Sequence, residues 1–156
     1  MLAAASYKQI LQDLSRYDSR SGLRIAGIVF ARPETPLARE EIFPSIGYYH
    51  FRSGPATNFY FAGFDEYTGN APSSLIVSDA ESGIRWGYSA RSFNELRREL
   101  ERHTRWVYSG GCDLLVMGVS FTQSTGTARL DFSSAIDCSP RRDAGGQYLA
   151  ASRRVL

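Results

Sequence analysis

The stretch YYHFRSG (residues 48–54) concentrates side chains that could do chemistry. In an extended chain Tyr48, His50 and Arg52 point to one side. The imidazole of His50 titrates near neutrality and could act as a general base for Ser53 as a nucleophile. However, a histidine and a serine three residues apart on a strand rarely form the hydrogen bond that attack requires. The sequence also has no Gly-x-Ser-x-Gly elbow.

The same stretch could instead bind a ring. Tyr48 and Arg52 could hold a base or nucleotide ring between an aromatic and a guanidinium plane. A structural alternative, which we favour, is that Tyr49 and Phe51 pack into the core and their neighbours form a polar edge. If the stretch does bind, its candidate binding residues are Tyr48, His50, Arg52 and Ser53.

Acidic and polar residues follow three apolar segments that read as strands. They are Arg32 and Glu34, then Asp65 and Glu66, then Ser120, Thr122 and Gln123. If the strands are parallel, these groups meet at one rim, where open α/β sheets bind ligands. Glu34, Asp65 and Glu66 could then hold Mg²⁺, with Arg32 on a phosphate. The simpler interpretation, which we favour, is a set of solvated loops.

Other chemistries lack their residues. Lys8 is the single lysine beside 17 arginines, so P-loop and Schiff-base chemistry is not expected. Two cysteines, Cys112 and Cys138, and two histidines do not fit a zinc spacing. The near-absence of lysine is typical of a GC-rich genome, and we expect a bacterial protein.

The three apolar segments are rich in branched residues, as in strands buried on both faces. They span 23–31, 57–64 and 113–121. Helices are predicted over 4–17, 35–46 and 92–109, the second ended or kinked by Pro44. We therefore predict an α/β fold, with α+β as the alternative: a mixed, mostly parallel sheet of about five strands between three helices, with a C-terminal antiparallel hairpin.

Two antiparallel pairs are predicted in detail. Segments 74–79 and 83–89 pair, and the second has Trp86 and Tyr88 on a half-exposed face. Segment 127–136 returns on 113–121 through a turn near residues 124–125. Facing positions then sum to about 249, which places Cys112 opposite or next to Cys138.

The third helix carries its own signals. Ser92 and Glu95 form a capping box that predicts its start. Its inner stripe includes Phe93, Leu96, Leu100, His103 and Val107, and Gly110 is predicted to stop it.

Length and composition predict one domain over 1–139 and a basic tail over 140–156 that is either a short helix or poorly ordered. The net charge is +2, with 18 basic and 16 acidic residues. This balance gives no reason to expect a nucleic-acid or membrane partner. The sequence has no recognisable secretion signal, so a cytoplasmic location is expected.

We therefore predict a non-enzymatic binding, regulatory or interaction module without a cofactor. It would engage a protein partner, a second copy or a ring-bearing ligand such as a nucleotide. Its predicted binding residues are Tyr48, His50, Arg52, Ser53, Arg32 and Trp86. The competing hypothesis is a Mg²⁺-assisted phosphoryl or nucleotide hydrolase with His50, Asp65 and Glu66 as catalytic residues. A third is a subunit that is not stable alone.

Overall fold

The first apolar segment forms a central strand of the main sheet. The computed structural model describes residues 2–17, 22–46, 54, 56–69, 73, 75–78, 83–122, 126–142, 148–150 and 153–155. The strands are β1 (Leu2–Ala4), β2 (Ile25–Ala31), β3 (Thr57–Ala62), β4 (Phe64–Glu66), β5 (Ile76–Ser78), β6 (Arg85–Tyr88), β7 (Cys112–Phe121), β8 (Ala128–Asp137), β9 (Pro140–Arg142), β10 (Tyr148–Ala150) and β11 (Arg153–Arg154). Within the residues that the structure describes, the α-helices are α1 (Tyr7–Leu14) and α2 (Ala90–His103).

The main sheet has the order β1-β3-β2-β7-β8-β11 and is mixed. β2 pairs parallel to β3, as the predicted crossover requires, and β1, a strand that the sequence did not predict, also pairs parallel to β3. β2 and β7 are antiparallel, with Ile25 opposite Gly118 and Ala31 opposite Cys112. The pairings of β7 with β8 and of β8 with β11 are antiparallel too. The α/β class and the mixed sheet are confirmed, whereas the prediction of a mostly parallel sheet is wrong.

Both α-helices pack on the same face of this sheet. From α1, Asp13 accepts a 2.7 Å hydrogen bond from the hydroxyl of Tyr60 in β3. From α2, the ring of Phe93 lies 5.5 Å from that of Phe30 in β2. Alternate residues of the strands therefore fill the core on this face. Its fully buried members include Ala26, Ile28, Phe30, Tyr60, Leu115 and Met117.

The opposite face meets the segment that was predicted as a helix over 35–46. This segment is helical but irregular, a π-helix at Ala38–Ile42 followed by a 3-10 turn at Phe43–Ser45. Pro44 has no N–H to donate to the carbonyl of Glu40, so regular α-helical bonding cannot continue there. The predicted effect of Pro44 is confirmed.

The predicted strand 57–64 is in fact two strands that meet at Gly63. Its φ of +84° is in the left-handed region, and a Cβ there would lie 2.8 Å from the Cβ of Phe93. Only glycine fits this bend without strain. Through it the chain leaves the main sheet as β3 and enters a three-stranded antiparallel sheet of order β4-β6-β5. The predicted pairing of 74–79 with 83–89 is confirmed there.

Helix α2 starts and ends earlier than predicted. Its N-cap is Ser89, whose Oγ accepts from the N–H of Ser92, so the capping box at Ser92 was the wrong start. It ends at His103, and Val107 beyond it is 69% exposed. His103 is also exposed and stacks on Phe132 at 5.0 Å, which corrects its predicted place on the buried stripe.

A bulge interrupts the β7–β8 hairpin. Val119 lies opposite Leu130, a sum of 249 as predicted, but Val116 lies opposite Ile136, a sum of 252. Ser134 fixes the irregularity, because its Oγ accepts from the N–H of Gly118 at 2.8 Å. Beyond the bulge, the N–H of Cys138 donates to the carbonyl of Leu114. Cys138 is therefore opposite Leu114, and Cys112 is its diagonal neighbour on the same face.

The basic tail contributes strands instead of the predicted helix or poorly ordered segment, as far as its described residues go. β9 and β10 pair with each other, and β11 adds to the edge of the main sheet beside β8. Val155 is 3% exposed and belongs to the hydrophobic core.

Candidate functional site

The direction of β7 decides which residues meet at the carboxyl end of β2. Because Ala31 pairs with Cys112, the residues beside Arg32 come from the start of β7. Ser120 lies near the carboxyl end of β7 and Thr122 just after it, so both are at the opposite end of the strands from Arg32. Gln123 is outside the described residues. The predicted gathering of polar groups from three parallel strands at one rim is therefore wrong.

The carboxylates considered for Mg²⁺ are all exposed. Asp65 accepts a 3.1 Å hydrogen bond from the side chain of Gln9, and Glu66 lies opposite Trp86 in the small sheet. Glu34 follows β2. Within the described part of the chain, no group of three histidine, cysteine, aspartate or glutamate residues is placed to hold a metal ion. The geometry thus does not assemble Glu34, Asp65 and Glu66 into a ligand set.

The aromatic residues of β6 are less exposed than the sequence predicted. Tyr88 is 2% exposed and packs edge-to-face on Phe64, with 5.4 Å between ring centroids. Trp86 is partly buried and packs on the core. Its Nε1 is buried and has no acceptor among the described residues. The four predicted binding residues Tyr48, His50, Arg52 and Ser53 lie outside the described residues.

A cavity of about 300 Å³ lies on the face of the main sheet opposite the α-helices. Its walls are almost entirely apolar and come from β2, β3, β7, the π-helical segment and the chain after β8. The lining residues are Val29, Ile42, Phe59, Phe61, Cys112, Asp113, Leu114, Cys138 and Pro140. We call this cavity the chamber. Its volume and lining are typical of sites for small organic molecules.

A second cavity of about 300 Å³ shares Cys112 and Pro140 with the chamber, and we call it the mouth. Its remaining lining residues are Thr35, Pro36, Leu37, Ser109 and Gly111. Two of these carry hydroxyl groups and one is a glycine at the loop before β7. The chamber and the mouth share Cys112 and Pro140 and are together called the cleft, and the hydroxyl groups of Thr35 and Ser109 make the mouth its more polar part.

The two thiols of the cleft are uncharged at neutral pH. Burial raises the pKa of Cys112, whose Sγ lies 3.4 Å from the hydroxyl of Thr35. Burial likewise raises the pKa of Cys138, and the nearby carboxylate of Asp137 adds to this effect. Both cysteines are free. Because the thiolate is the nucleophilic form, these thiols are poor nucleophiles and act mainly as small apolar groups.

Asp113 is the one acidic residue in the chamber lining. It is 2% exposed, and burial raises its pKa. Its carboxylate accepts hydrogen bonds from Nε1 of Trp106 at 3.1 Å and from the N–H of Ser109 at 2.9 Å, and also from the Ser109 hydroxyl. These donors occupy both oxygens, so Asp113 holds the loop between α2 and β7 in place.

Arg32, a predicted binding residue that follows β2, has well-defined contacts with neighbouring side chains. It is partly buried, and its Cζ lies 5.3 Å from the ring centroid of Phe93 and 5.5 Å from that of Tyr108. The hydroxyl of Tyr108 donates to the carbonyl of Gly111, which lines the mouth. Tyr108 therefore contacts both the guanidinium and a residue that lines the mouth.

The sequence interpretation missed the cleft itself. The hairpin register placed Cys112 near Cys138, and this was the available signal. The walls from β2 and β3 could not be found in that way, since Val29, Phe59 and Phe61 read only as apolar strand residues.

No helix among the described residues combines the length and apolarity needed to cross a membrane. No family model, no curated protein and no solved structure matches this chain.

Proposed function

We propose that the protein is a non-catalytic binding module that holds a small ring-bearing molecule in the cleft. The observation that carries this proposal is the apolar chamber, which shares Cys112 and Pro140 with the more polar mouth. A ligand that matches it has a flat apolar body and one uncharged hydrogen-bonding group. The rings of Phe59 and Phe61 in the chamber wall favour an aromatic body.

The chemistry of the lining supports binding over catalysis. The thiols of Cys112 and Cys138 are protonated at neutral pH, and the Asp113 carboxylate is engaged by Trp106 and Ser109. Burial of an apolar ligand is favourable by roughly 25 cal/mol per Å² of apolar surface removed from water, and it requires no activated group. The hydrolase hypothesis would need a gathered set of carboxylates, and among the described residues that line the cleft Asp113 is the single one.

The thiols themselves allow a direct test. The chain has two cysteines and both line the chamber, so every thiol modification reports on the cleft. We expect the neutral naphthalene dye prodan to bind saturably, with a blue-shifted emission, and to slow the reaction of both cysteines with N-ethylmaleimide. The rate of modification is measured by mass spectrometry with increasing dye.

A matched pair of variants locates the binding. Leu114→Trp fills the chamber from β7, whereas Val116→Trp adds the same ring to the same strand face, two residues along and outside the chamber lining. We expect Leu114→Trp to abolish saturable dye binding and Val116→Trp to retain it. If Leu114→Trp fails to fold, Cys138→Phe fills the chamber from the neighbouring position after β8. Equal binding by the filled variant and Val116→Trp, or unsaturable binding by the wild type, would refute the proposal.

A further inference from the structure

The guanidinium of Arg32 is fixed in position by three contacts, two from α2 and one from the loop that follows it. The rings of Phe93 and Tyr108 lie 5.3 Å and 5.5 Å from its Cζ. Its Nη2 donates a 3.3 Å hydrogen bond to Oδ1 of Asn94 in α2. Two rings and an amide orient the group, but none of them carries a negative charge.

The charge of Arg32 is not balanced within the described part of the chain. No described carboxylate lies within 4.0 Å of its guanidinium, and its Nε and Nη1 have no acceptor among the described residues. Some other arginines are paired: Arg91 with Glu95 at 2.8 Å and Arg153 with Asp137 at 3.1 Å. A partly buried charge loses hydration, and the cation–π contacts recover only part of that loss.

The surroundings of Arg32 limit the charge of a bound anion. Glu34 follows two residues later, and the charges of Glu34 and Arg32 both reach the hydroxyl of Tyr88, one raising and the other lowering its pKa. The guanidinium therefore supplies one positive charge, and a carboxylate that is not paired with it lies nearby. A singly charged anion matches the charge of the guanidinium, whereas a doubly charged phosphate carries a second charge that Glu34 also repels.

We propose that Arg32 is the anchor of a binding site for a singly charged carboxylate, held through the guanidinium N–H groups that have no acceptor among the described residues. A guanidinium matches the two oxygens of a carboxylate in one plane, and the rings of Phe93 and Tyr108 keep its orientation fixed. This proposal does not depend on the cleft, because Arg32 is not among the residues that line the chamber or the mouth.

The test is a titration of the full-length protein with acetate, at constant ionic strength set with chloride, followed by the Nε–H resonance of Arg32 in ¹⁵N NMR spectra. The resonance is assigned by its absence from the spectrum of Arg32→Gln. We expect a saturable shift of Arg32 Nε–H and no saturable shift of Arg91, which is already paired with Glu95. Arg32→Gln should weaken acetate binding, measured by calorimetry, by about tenfold or more.

Two further experiments test whether the site prefers a singly charged anion. Inorganic phosphate at pH 8, where it is mainly doubly charged, should bind more weakly than acetate to the wild type. Glu34→Gln should tighten the binding of both anions and reduce the difference between them. An unsaturable or absent shift at Arg32, or equal acetate affinity in wild type and Arg32→Gln, would overturn the carboxylate site. Failure of the dye experiment would leave it unaffected.

Discussion

Trp106 and Asp113 are joined by a 3.1 Å hydrogen bond from the indole Nε1 to Oδ2, although both residues are almost fully buried. The bond connects the loop after α2 to the first residues of β7. The same carboxylate also binds Ser109. One buried acidic group thus determines the course of the chain at the entrance to the cleft.

Asp113→Asn should therefore destabilise the protein. The substitution keeps the shape but replaces one acceptor oxygen by an NH₂ group that faces existing donors. We expect the free energy of unfolding to fall by about 2 kcal/mol, measured by urea denaturation. Glu41→Gln, an exposed acid in the π-helical segment, is the control and should have little effect. Equal stability of Asp113→Asn and the wild type would show that the carboxylate is dispensable.

A comparison of Gly63 with Gly69 separates the energetic cost of a steric contact from the cost of backbone strain. Gly63 and Gly69 have φ of +84° and +89°, but an added Cβ meets Phe93 and Tyr88 only at Gly63. Gly69→Ala should cost about 1 kcal/mol, from backbone strain alone. Gly63→Ala should cost at least about 3 kcal/mol, because either Phe93 or Tyr88 must also shift. Similar urea midpoints for the two variants would contradict this account of the bend.

The bulge in β8 depends on the side-chain hydroxyl of Ser134, which makes two hydrogen bonds. Ser134 Oγ accepts from the N–H of Gly118 and donates to the carbonyl of Asp131 at 2.7 Å. Ser134→Ala should lower the free energy of unfolding by about 1 kcal/mol and speed amide exchange at Gly118. Ser133→Ala serves as a neighbouring control and should leave that amide protected. Unchanged exchange at Gly118 in Ser134→Ala would mean that the bond does not hold the bulge.

Because the thiols of Cys112 and Cys138 are at least partly shielded from solvent, we expect the folded protein to lose stability at mildly alkaline pH. Burial raises the pKa of Cys112 and Cys138, so the unfolded chain releases their protons at lower pH than the folded protein. Their contribution is fully present below the unfolded thiol pKa of about 8.5 and is lost as the pH rises toward the folded values. The melting temperature of the wild type should fall more steeply above pH 8 than that of the double variant Cys112→Ala, Cys138→Ala.

Burial also raises the pKa of Tyr88 to about 12, and this tyrosine contributes the same further decline to both proteins at higher pH. The difference between the two melting curves is therefore specific to the thiols. Parallel curves from pH 7 to 10 would contradict the shifted thiol pKa values.

The sequence predicted where the main strands lie but not how β7 runs. An apolar segment such as 113–121 has the same pattern in either direction, because both of its faces are covered. The direction of β7 depends on which end of the sheet the chain reaches when α2 ends. The position of α2 follows from the tertiary packing of Phe93 and Leu96 and not from any local signal. Predictions that depended on strand direction, such as the place of Ser120 and Thr122, failed for this reason.

Local signals were more reliable where a residue has a single conformational role. Pro44 disrupted its helix as predicted, because it lacks an N–H wherever it is placed. The hairpin register near Val119 was also correct, since the short turn sets it. It shifted past the bulge, where Ser134 and Asp131 replace regular pairing. The cleft was missed because it needs both the corrected register and the walls supplied by β2 and β3.

The central position of β2 has a consequence for how the chain assembles. On one side it joins β3, which follows within the same crossover, and on the other it joins β7, which is synthesised much later. Until β7 arrives, the unpaired flank of β2 offers open amides and the apolar row of Ala26, Ile28 and Phe30 to any strand nearby. Once β7 pairs with β2, a newly synthesised chain can no longer pair with other chains through this strand.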